Sequence, residues 1–303
     1  MAHEKNPDEL AKKMLELPFD WWQSKVSAET LLKQFKRHII PLLVAGYIGN
    51  DFKYNVYSGI LLDHAHTMVW LTAGHVVDEL KQLLSSTFKL TKMIWMDDYN
   101  VGEAEGVSLH RKDMPMKSWC NDGLDIGVIL PSILDVGNIE RNQNVFPITA
   151  EIWRNLVQAN PEGYFAIGFP RPWSNYSQKP IAYDKIHHSI TANLACLPLS
   201  ISQPPLEFAD DPRWSDPEAF FGKILPFTDN PKFEIDDLKG MSGGPILSVE
   251  RDPDGRIRYR LVGIIQSWAE AQSMIRAEPI KRVSQAIDKW LTEEHPNLLQ
   301  MTI

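Results

Sequence analysis

Residues 239–245 read Lys-Gly-Met-Ser-Gly-Gly-Pro, with Ser242 among three glycines. A serine nucleophile needs an exposed hydroxyl on a tight turn, with backbone N–H groups aimed where a negatively charged oxygen forms. Glycines permit both, because they allow the strained turn and the close approach of a substrate. Serine and glycine clusters also occur in plain loops, so this segment alone leaves a structural role open.

A hydroxyl is a weak nucleophile until a neighbouring base takes its proton. His75 fits this role best, because the apolar run Val69–Thr72 and two small residues deliver it to the end of a predicted buried strand, and a helical turn follows. The other histidines lack this setting. His64 and His66 could ligate zinc as a pair, but no third ligand has a compatible spacing, so we expect no metal site and no cofactor.

The imidazole in turn needs a buried carboxylate that sets its tautomer and stabilises its charged form. Asp125 stands directly before the strongly apolar run Ile126–Leu130, an unusual place for a charge unless it is paired. A cap at the start of the strand is the alternative interpretation. The order His75, Asp125, Ser242 leaves room for most of one β-barrel before the aspartate and most of a second before the serine.

Short apolar runs, broken by Gly, Asn, Asp and Pro, follow Ile39 and are typical of an all-β barrel or sandwich. Two more runs flank the turn signal Asp252–Gly255 and predict a hairpin. The clearest predicted strands are Tyr57–Leu62, Thr67–Thr72, Met93–Met96, Ile126–Leu130 and Tyr164–Ile167.

The two ends of the chain predict helices. Residues 1–35 predict a helical extension packed on the main body, with one helix near residues 6–15 and a second from Ser27. A C-terminal amphipathic helix is predicted after Pro279, where apolar residues recur at helical spacing, namely Ile280, Val283, Ile287, Trp290 and Leu291. Between them, the proline-rich stretch Gln203–Asp237 is predicted to be a long irregular connection of the kind that carries binding loops.

Composition and charge narrow the class of protein. Hydrophobic residues make up 44% of the chain and charged residues 23%, as in an ordinary globular protein. The net charge of −8 provides no basic field for nucleic acid or anionic lipid, and the apolar stretch Ile39–Gly49 is too short to cross a bilayer. We therefore expect neither nucleic acid nor a membrane as a partner.

The N-terminus and the cysteines indicate the compartment. No secretory signal follows the acidic N-terminus, and Cys120 and Cys196 are expected to be reduced thiols. Both features predict a cytoplasmic protein.

From about Ile39 to its end, the chain resembles the trypsin/chymotrypsin-like serine proteases. The segment WLTAGHVV looks like the family's histidine motif, LDIGVIL its aspartate motif and GMSGGPIL its nucleophile motif, while Leu261–Trp268 is similar to the substrate-binding strand with one residue extra. The resemblance implies an all-β fold of two six-stranded antiparallel β-barrels, with an N-terminal helical extension and a C-terminal helix. The implied domains are the extension at 1–35, a first barrel at 36–150, and a second barrel with the C-terminal helix at 151–303.

Carried over residue by residue, the resemblance makes His75 the general base, Asp125 the group that orients it, and Ser242 the nucleophile. The backbone N–H groups of Gly240 and Ser242 would form the oxyanion hole. A metal and a cofactor have no part in this chemistry.

Substrate contacts are implied on the strand that resembles the substrate-binding strand. Ser267 would lie beside Asp125 and hydrogen-bond it, although the extra residue makes Gln266 a competitor for that place. Trp268 would continue the contact with substrate. Asp236 would lie at the base of the primary specificity pocket and attract Lys or Arg, whereas the alternative is a structural role for the aspartates of this loop.

Two departures separate the chain from the animal digestive enzymes. Met241 stands where those enzymes carry the Asp that pairs with a newly cleaved N-terminus, so activation by that ion pair is not expected. The chain is instead similar to the intracellular bacterial branch, which includes the HtrA-like proteases. It lacks the family disulfides, and its segment Gly168–Pro170 resembles that branch. The residues after Ser242 are needed to finish the second barrel, so no PDZ domain is expected.

These residues predict a serine endopeptidase that forms an acyl-enzyme on Ser242 and acts on a polypeptide substrate. One alternative is a non-catalytic trypsin-like module that binds peptides or partners. A second keeps the chemistry but makes the enzyme latent, with residues 1–35, its own loops or a regulatory protein partner setting the oxyanion loop.

Overall fold

The computed structural model describes residues 21–64, 67–95, 107–108, 117–131, 135–137, 145–153, 161–181, 185–227, 237–251 and 257–294. Most of the regular structure in these residues is β-strand. No helix among them is both long enough and apolar enough to cross a membrane.

The elements alternate between short strands and a few helices. The strands are β1 (Leu42–Ile48), β2 (Asp51–Tyr57), β3 (Ile60–His64), β4 (Thr67–Ala73), β5 (Lys89–Trp95), β6 (Val107–Ser108), β7 (Lys117–Asn121), β8 (Ile126–Leu130), β9 (Gly163–Gly168), β10 (Asn175–Ile181), β11 (Lys185–Thr191), β12 (Ala195–Ile201), β13 (Phe220–Ile224), β14 (Pro245–Arg251), β15 (Ile257–Ala269) and β16 (Met274–Pro279). The helices are α1 (Lys25–Phe35), α2 (Gly74–Ser85), α3 (Ala150–Trp153) and α4 (Ile280–Glu294).

The second half of the chain contains a closed barrel with the strand order β12-β13-β16-β15-β14-β9. All of its pairings are antiparallel, including that of β12 with β9, which closes the ring. Its interior is filled by small and branched side chains, among them Ala166, Leu197, Ile246, Ile265, Ile275 and Ala277. The prediction of a six-stranded antiparallel barrel in this half is confirmed.

The first half of the chain contains two four-stranded sheets, with the orders β3-β4-β8-β7 and β2-β1-β5-β6. A shared apolar cluster includes Trp70 and Trp95, whose rings meet edge to face with centroids 5.0 Å apart. The Trp70 indole N–H donates to the Ile40 carbonyl at 2.8 Å, so this large side chain is buried without an unpaired polar atom. The pairings among the described strands do not close these sheets into a ring, and the first barrel stays a prediction.

The described part of the N-terminal extension forms α1. The helix begins at Lys25, before the predicted start at Ser27, because the Ser24 hydroxyl caps it by accepting the Ser27 N–H at 3.1 Å. Its last residue, Phe35, is fully buried, with its ring centroid 5.0 Å from that of Tyr259 in β15. The predicted packing on the main body is therefore confirmed for this helix, whereas the helix predicted near residues 6–15 lies outside the described residues.

The C-terminal helix α4 joins the two halves of the chain. Its buried face consists of the predicted residues Ile280, Val283, Ile287, Trp290 and Leu291. Trp290 stacks on Trp119 of β7 with ring centroids 5.4 Å apart, and Asp288 Oδ1 lies 2.9 Å from Nε2 of the buried His64 in β3. The closing helix thus holds the first half against the barrel.

The prediction that Gln203–Asp237 is irregular throughout is wrong, because β13 lies within it. Strand β13 forms because it pairs with β12 and β16. The many prolines around it give no indication of this pairing. The segment before it carries Trp214, which stacks between Phe208 and Phe221 with ring centroids 5.1 and 5.8 Å away. The predicted strand Tyr57–Leu62 is also interrupted, since Ser58 and Gly59 separate β2 from β3.

Candidate active site

The pairing of β4 with β8 places His75 beside Asp125. Ala73, the last residue of β4, lies opposite Ile126, the first residue of β8. Strand β4 runs directly into α2, where His75 is the second residue, and Asp125 immediately precedes β8. Both side chains therefore emerge at the same end of the strand pair, and the structure brings these two predicted residues together.

The Asp125 carboxylate contacts His75 through both the side chain and the backbone. The imidazole Nδ1 lies 2.9 Å from Oδ2 and 3.1 Å from Oδ1, while the His75 backbone N–H donates to Oδ1 at 2.8 Å. An ionised carboxylate only accepts hydrogen bonds, so Nδ1 carries a proton in this arrangement. In the neutral imidazole, the lone pair is then on Nε2, the atom that can accept a proton from a nucleophile.

The backbone of Asp125 is held in a conformation that few residues adopt. Its φ angle of 46° lies in the left-handed region, which is disfavoured for side chains other than glycine. Its carbonyl accepts the Gly74 N–H at 2.9 Å, and a Cβ on Gly74 would lie 3.0 Å from the Asp125 carboxylate. Strain of this kind persists where the surrounding contacts over-determine it, and such places concentrate at functional sites.

The electrostatic surroundings of His75 favour its charged form. The hydrogen bond to Asp125 raises the pKa of His75 above its ordinary value, and this effect exceeds the lowering caused by partial burial. The charges of Asp125, Glu79 and Asp78 raise the pKa further. A base with a raised pKa keeps a proton it has received more firmly, which suits proton transfer from a hydroxyl near neutral pH.

Ser242 lies on a tight turn shaped by two glycines with positive φ. Gly240 has a φ of 97° and Gly243 a φ of 88°. The N–H groups of Met241, Gly243 and Gly244 donate within the fold, the first to Leu238 and the second to Ile265. In the part of the chain that the structure describes, the N–H groups of Gly240 and Ser242 have no acceptor. Two amides of the turn are therefore available to a substrate oxygen.

The serine turn lies against the end of β4. A Cβ added to Gly243 would overlap the Thr72 hydroxyl and would lie 2.9 Å from the Ala73 nitrogen. The Thr72 hydroxyl donates to the Ser58 carbonyl at 2.8 Å, and this bond connects the end of β4 to the residues between β2 and β3. Since His75 follows Ala73 by two residues, the structure brings the serine turn to the same region as the His75–Asp125 pair.

Gln266 connects the serine turn to Asp125. The register between β15 and β16 shifts at this residue, so Gln266 is the extra residue of a β-bulge, which redirects its side chain. Its side-chain amide donates to the carbonyls of Leu124 and Asp125, the second at 3.3 Å. Its own backbone carbonyl accepts the Ser242 hydroxyl at 3.4 Å.

The expected hydrogen bond from Ser267 to Asp125 is wrong. The Ser267 hydroxyl is buried and, among the described residues, has no hydrogen-bond partner. The extra residue of the bulge gives the place beside Asp125 to Gln266, the competing residue predicted from the sequence. Trp268 is half-buried and packs against the apolar interior of the closed barrel. The roles of Ser267 and Trp268 toward a substrate stay predictions.

The loop that leads into the serine turn is described from residue 237 onward. Asp236, the predicted base of the specificity pocket, lies outside the described residues. Asp237 accepts the Lys239 N–H at 2.8 Å, and its carboxylate lies 3.7 Å from the Lys239 ammonium, so this aspartate shapes the loop. Met241 is buried in the apolar barrel interior with Leu238.

Ser58 contacts the serine turn, although no sequence motif predicts this contact. Its fully buried hydroxyl donates to the Gly240 carbonyl at 2.6 Å and accepts the Phe169 N–H at 2.8 Å. The only sequence signal is the Ser-Gly pair that interrupts the run between β2 and β3, and this pair gives no indication of a contact so far along the chain.

Within the described ranges, one cluster of potential metal ligands lies outside this site. Donor atoms of Asp78, Cys120 and Asp122 lie within 4.8 Å of one another. The Lys81 ammonium lies 3.7 Å from the Asp78 carboxylate and donates to the Cys120 sulfur at 3.6 Å. Lys81 therefore already supplies the positive charge that these groups attract.

The pair of histidines considered for zinc gives no second site among the described residues. His64 is buried against Asp288, and His66 lies outside the described residues.

No family model and no curated protein matches the chain. Solved structures similar to it include the Rv3671c protease from M. tuberculosis in its active form, with 11% identity over 86% of this chain and 83% of that chain and a TM-score of 0.41. Another is the protease Anisep from Arthrobacter nicotinovorans, with 13% identity over 82% of this chain and 93% of that chain and a TM-score of 0.41. Likeness at this level supports no conclusion about fold or function, so a functional proposal depends on the geometry of this chain's own residues.

Proposed function

We propose that this protein is a serine endopeptidase that hydrolyses peptide bonds through an acyl-enzyme on Ser242. The observation that carries the proposal is the connection made by Gln266, whose carbonyl accepts from Ser242 and whose amide donates to the carbonyl of Asp125. Asp125 in turn holds the imidazole of His75. A hydroxyl, a base oriented by a carboxylate and unengaged amides beside the hydroxyl are the groups that acyl transfer requires.

In the first half of the proposed reaction, Nε2 of His75 takes the proton of the Ser242 hydroxyl as Oγ attacks the carbonyl carbon of the substrate. The carbonyl π-bond breaks and its electron pair moves to the oxygen, where the N–H groups of Gly240 and Ser242 donate to the resulting negative charge. The carbon–nitrogen bond then breaks, and the imidazolium gives its proton to the leaving amine. An ester between Ser242 and the acyl part of the substrate remains.

Water completes the proposed cycle. His75 takes a proton from a water molecule as the water oxygen attacks the ester carbon. The bond to Ser242 Oγ then breaks, and the imidazolium returns the proton to that oxygen. Asp125 stays ionised throughout and stabilises the imidazolium that forms twice in each cycle.

Several finer features belong to the same proposal. The chain resembles the trypsin/chymotrypsin-like proteases of the intracellular bacterial type, with a first barrel at 36–150, a second at 151–303 and a helical extension at 1–35. We place the protein in the cytoplasm, with a polypeptide as substrate and no nucleic acid or membrane as a partner. Asp236 is proposed to bind a Lys or Arg side chain of the substrate. Ser267 and Trp268 are proposed to contact the substrate chain.

The test is covalent labelling of the purified full chain by a fluorophosphonate, with the modified residue located by mass spectrometry. A fluorophosphonate reacts with a serine only where base and oxyanion donors are assembled, so modification at Ser242 is expected. Ser242→Ala is the matched control and should take up no label. Failure of the folded wild-type chain to label at Ser242 would overturn the proposal and favour the non-catalytic binding module. The latent alternative predicts slow labelling that accelerates when a peptide or protein partner binds.

A further inference from the structure

Ser58 lies between the two halves of the chain, where β2 ends and β3 has not begun. Its side chain is fully buried. The hydroxyl uses its single proton to donate to the Gly240 carbonyl at 2.6 Å and accepts the Phe169 N–H at 2.8 Å. A residue of the first half is thereby bonded to two separate segments of the second half.

One of these segments also holds the peptide that precedes Gly240. The Arg171 N–H donates to the Lys239 carbonyl at 2.6 Å. In a trans peptide the C=O and N–H point in opposite directions, so this bond directs the Gly240 N–H away from Arg171. With its own carbonyl held by Ser58, Gly240 has both of its flanking peptide planes fixed.

The Gly240 turn needs such restraint. Its φ of 97° lies in a region that glycine enters and leaves easily. A Cβ at this position would approach the Phe169 carbonyl oxygen to 2.6 Å and the Arg171 nitrogen to 3.1 Å, so no larger residue can stiffen the turn. The adjacent Met241 is apolar and buried, and it offers no charge that could anchor the turn through an ion pair.

We infer that Ser58 is a positioning residue for the oxyanion turn. Its hydroxyl fixes the Gly240 carbonyl directly, and through Phe169 it steadies the segment that holds the Lys239 carbonyl. The Gly240 N–H therefore stays aimed at the substrate oxygen without an ion pair at position 241, where the side chain is the apolar Met241. The inference rests on the proposed peptidase function, and it names the device that keeps the site assembled in the free protein.

The experiment compares Ser58→Ala with Ser27→Ala in the full chain. Ser27 is a matched control, because it lies on α1 and its hydroxyl is also fully buried. This hydroxyl lies 3.1 and 2.7 Å from the backbone carbonyl oxygens of Trp22 and Ser24. Loss of a single oxyanion donor costs about 10²–10³-fold in kcat. Because Ser58 acts through the turn, we expect Ser58→Ala to lower kcat and the fluorophosphonate labelling rate by at least about 10-fold with little change in KM. Ser27→Ala should label at the wild-type rate.

A second measurement separates positioning from general damage. The pKa of His75, followed by NMR of its ring protons, should be the same in Ser58→Ala and wild type, because the His75–Asp125 pair does not depend on the turn. The Gly240 amide resonance should move in Ser58→Ala and not in Ser27→Ala. Wild-type labelling by Ser58→Ala, or an unmoved Gly240 resonance, overturns the inference. A wild-type chain that does not label at Ser242 overturns the proposed function instead, while the Gly240 resonance still decides whether Ser58 holds the turn.

Discussion

Nδ1 of His75 lies 2.9 Å from Oδ2 of Asp125, and the backbone N–H of the same histidine donates to Oδ1 at 2.8 Å. The Asp125 carboxylate thus fixes both the imidazole ring and the start of α2, the helix that carries His75. Because the Asp125 carbonyl also accepts the Gly74 N–H at 2.9 Å, the pair is held by a backbone hydrogen bond as well as by charge. The predictions for catalysis follow from this arrangement and from its connection to Ser242.

We expect Ser242→Ala to abolish peptide cleavage while the melting temperature stays close to that of wild type. Among the described residues, the hydroxyl makes a single long hydrogen bond, at 3.4 Å, so its removal costs little packing. His75→Ala should be similarly inactive, and the double variant should lose no more than either single variant, because the two residues act as a unit. Assays with a quenched fluorescent peptide library measure this. Cleavage by purified Ser242→Ala at the wild-type rate would remove this serine from the mechanism.

Cleavage should increase with pH as His75 loses its proton. The pKa of His75 is raised above its ordinary value near 6.5, chiefly by the hydrogen bond to Asp125, so the half-maximal rate should fall above pH 6.5. The measurement is kcat/KM across the pH range in which the protein stays folded. A rate that does not vary from about pH 5 to about pH 9 would exclude a histidine base.

The same shift gives a stability prediction of defined sign. A group whose pKa is higher in the folded state binds its proton more tightly there, so its contribution to the free energy of unfolding is complete below the ordinary pKa. That contribution is lost as the pH rises through the raised pKa of His75. Urea unfolding of wild type and His75→Ala should therefore give a difference that decreases over this range. A difference that increases with pH would contradict the shift.

Asp125→Asn should keep the fold and lower kcat by about 10⁴-fold, because the amide favours the wrong imidazole tautomer. Loss of the carboxylate should also return the pKa of His75 toward its ordinary value, since Asp125 is the largest cause of its increase. NMR titration of the histidine ring protons checks the second effect without any assay. An unchanged pKa of His75 in the folded variant would mean that the carboxylate does not act on the imidazole.

Gln266→Leu should lower both stability and activity. The substitution keeps a side chain of similar size but removes the Gln266 donor from the Leu124 carbonyl and leaves the Asp125 carbonyl with the Gly74 N–H. A buried carbonyl that loses its donor costs about 1–3 kcal/mol. Ser267→Ala is the matched control for stability, because the hydroxyl that it removes has no partner among the described residues. Urea unfolding of both variants makes the comparison. Equal stability losses would show that the bulge residue does not support Asp125.

Asp236→Ser tests the proposed specificity pocket. If Asp236 reads the substrate, the variant should cleave a peptide library after apolar residues in place of Lys and Arg, while Ser242 labels at the wild-type rate. A structural aspartate would instead lower labelling and all cleavage together, as expected for the neighbouring Asp237, whose carboxylate accepts the Lys239 N–H. A wild-type profile without preference for Lys or Arg would end the pocket hypothesis.

The elements that carry His75, Asp125 and Ser242 could be predicted because their signals are local. An apolar strand that ends in small residues, an aspartate before an apolar run, and glycines around a serine each describe a few adjacent residues, and the structure has β4, β8 and the turn before β14 at these places. The face of α4 was predicted for the same reason, since helical spacing depends on neighbours three or four residues away.

Pairing between distant strands decided the rest. Whether Gln266 or Ser267 supports Asp125 depends on a register shift between β15 and β16, and a one-residue shift sends a side chain to the opposite face. Strand β13 is defined by its barrel neighbours, although its own segment reads as a proline-rich loop. The bond from Ser58 to Gly240 joins residues of different halves. The sequence by itself thus determined the candidate residues for the proposed chemistry, because residue type and local spacing are enough for that. Only the tertiary structure decided which residues hold them in place, because hydrogen bonds between distant segments exist only after the sheets have packed.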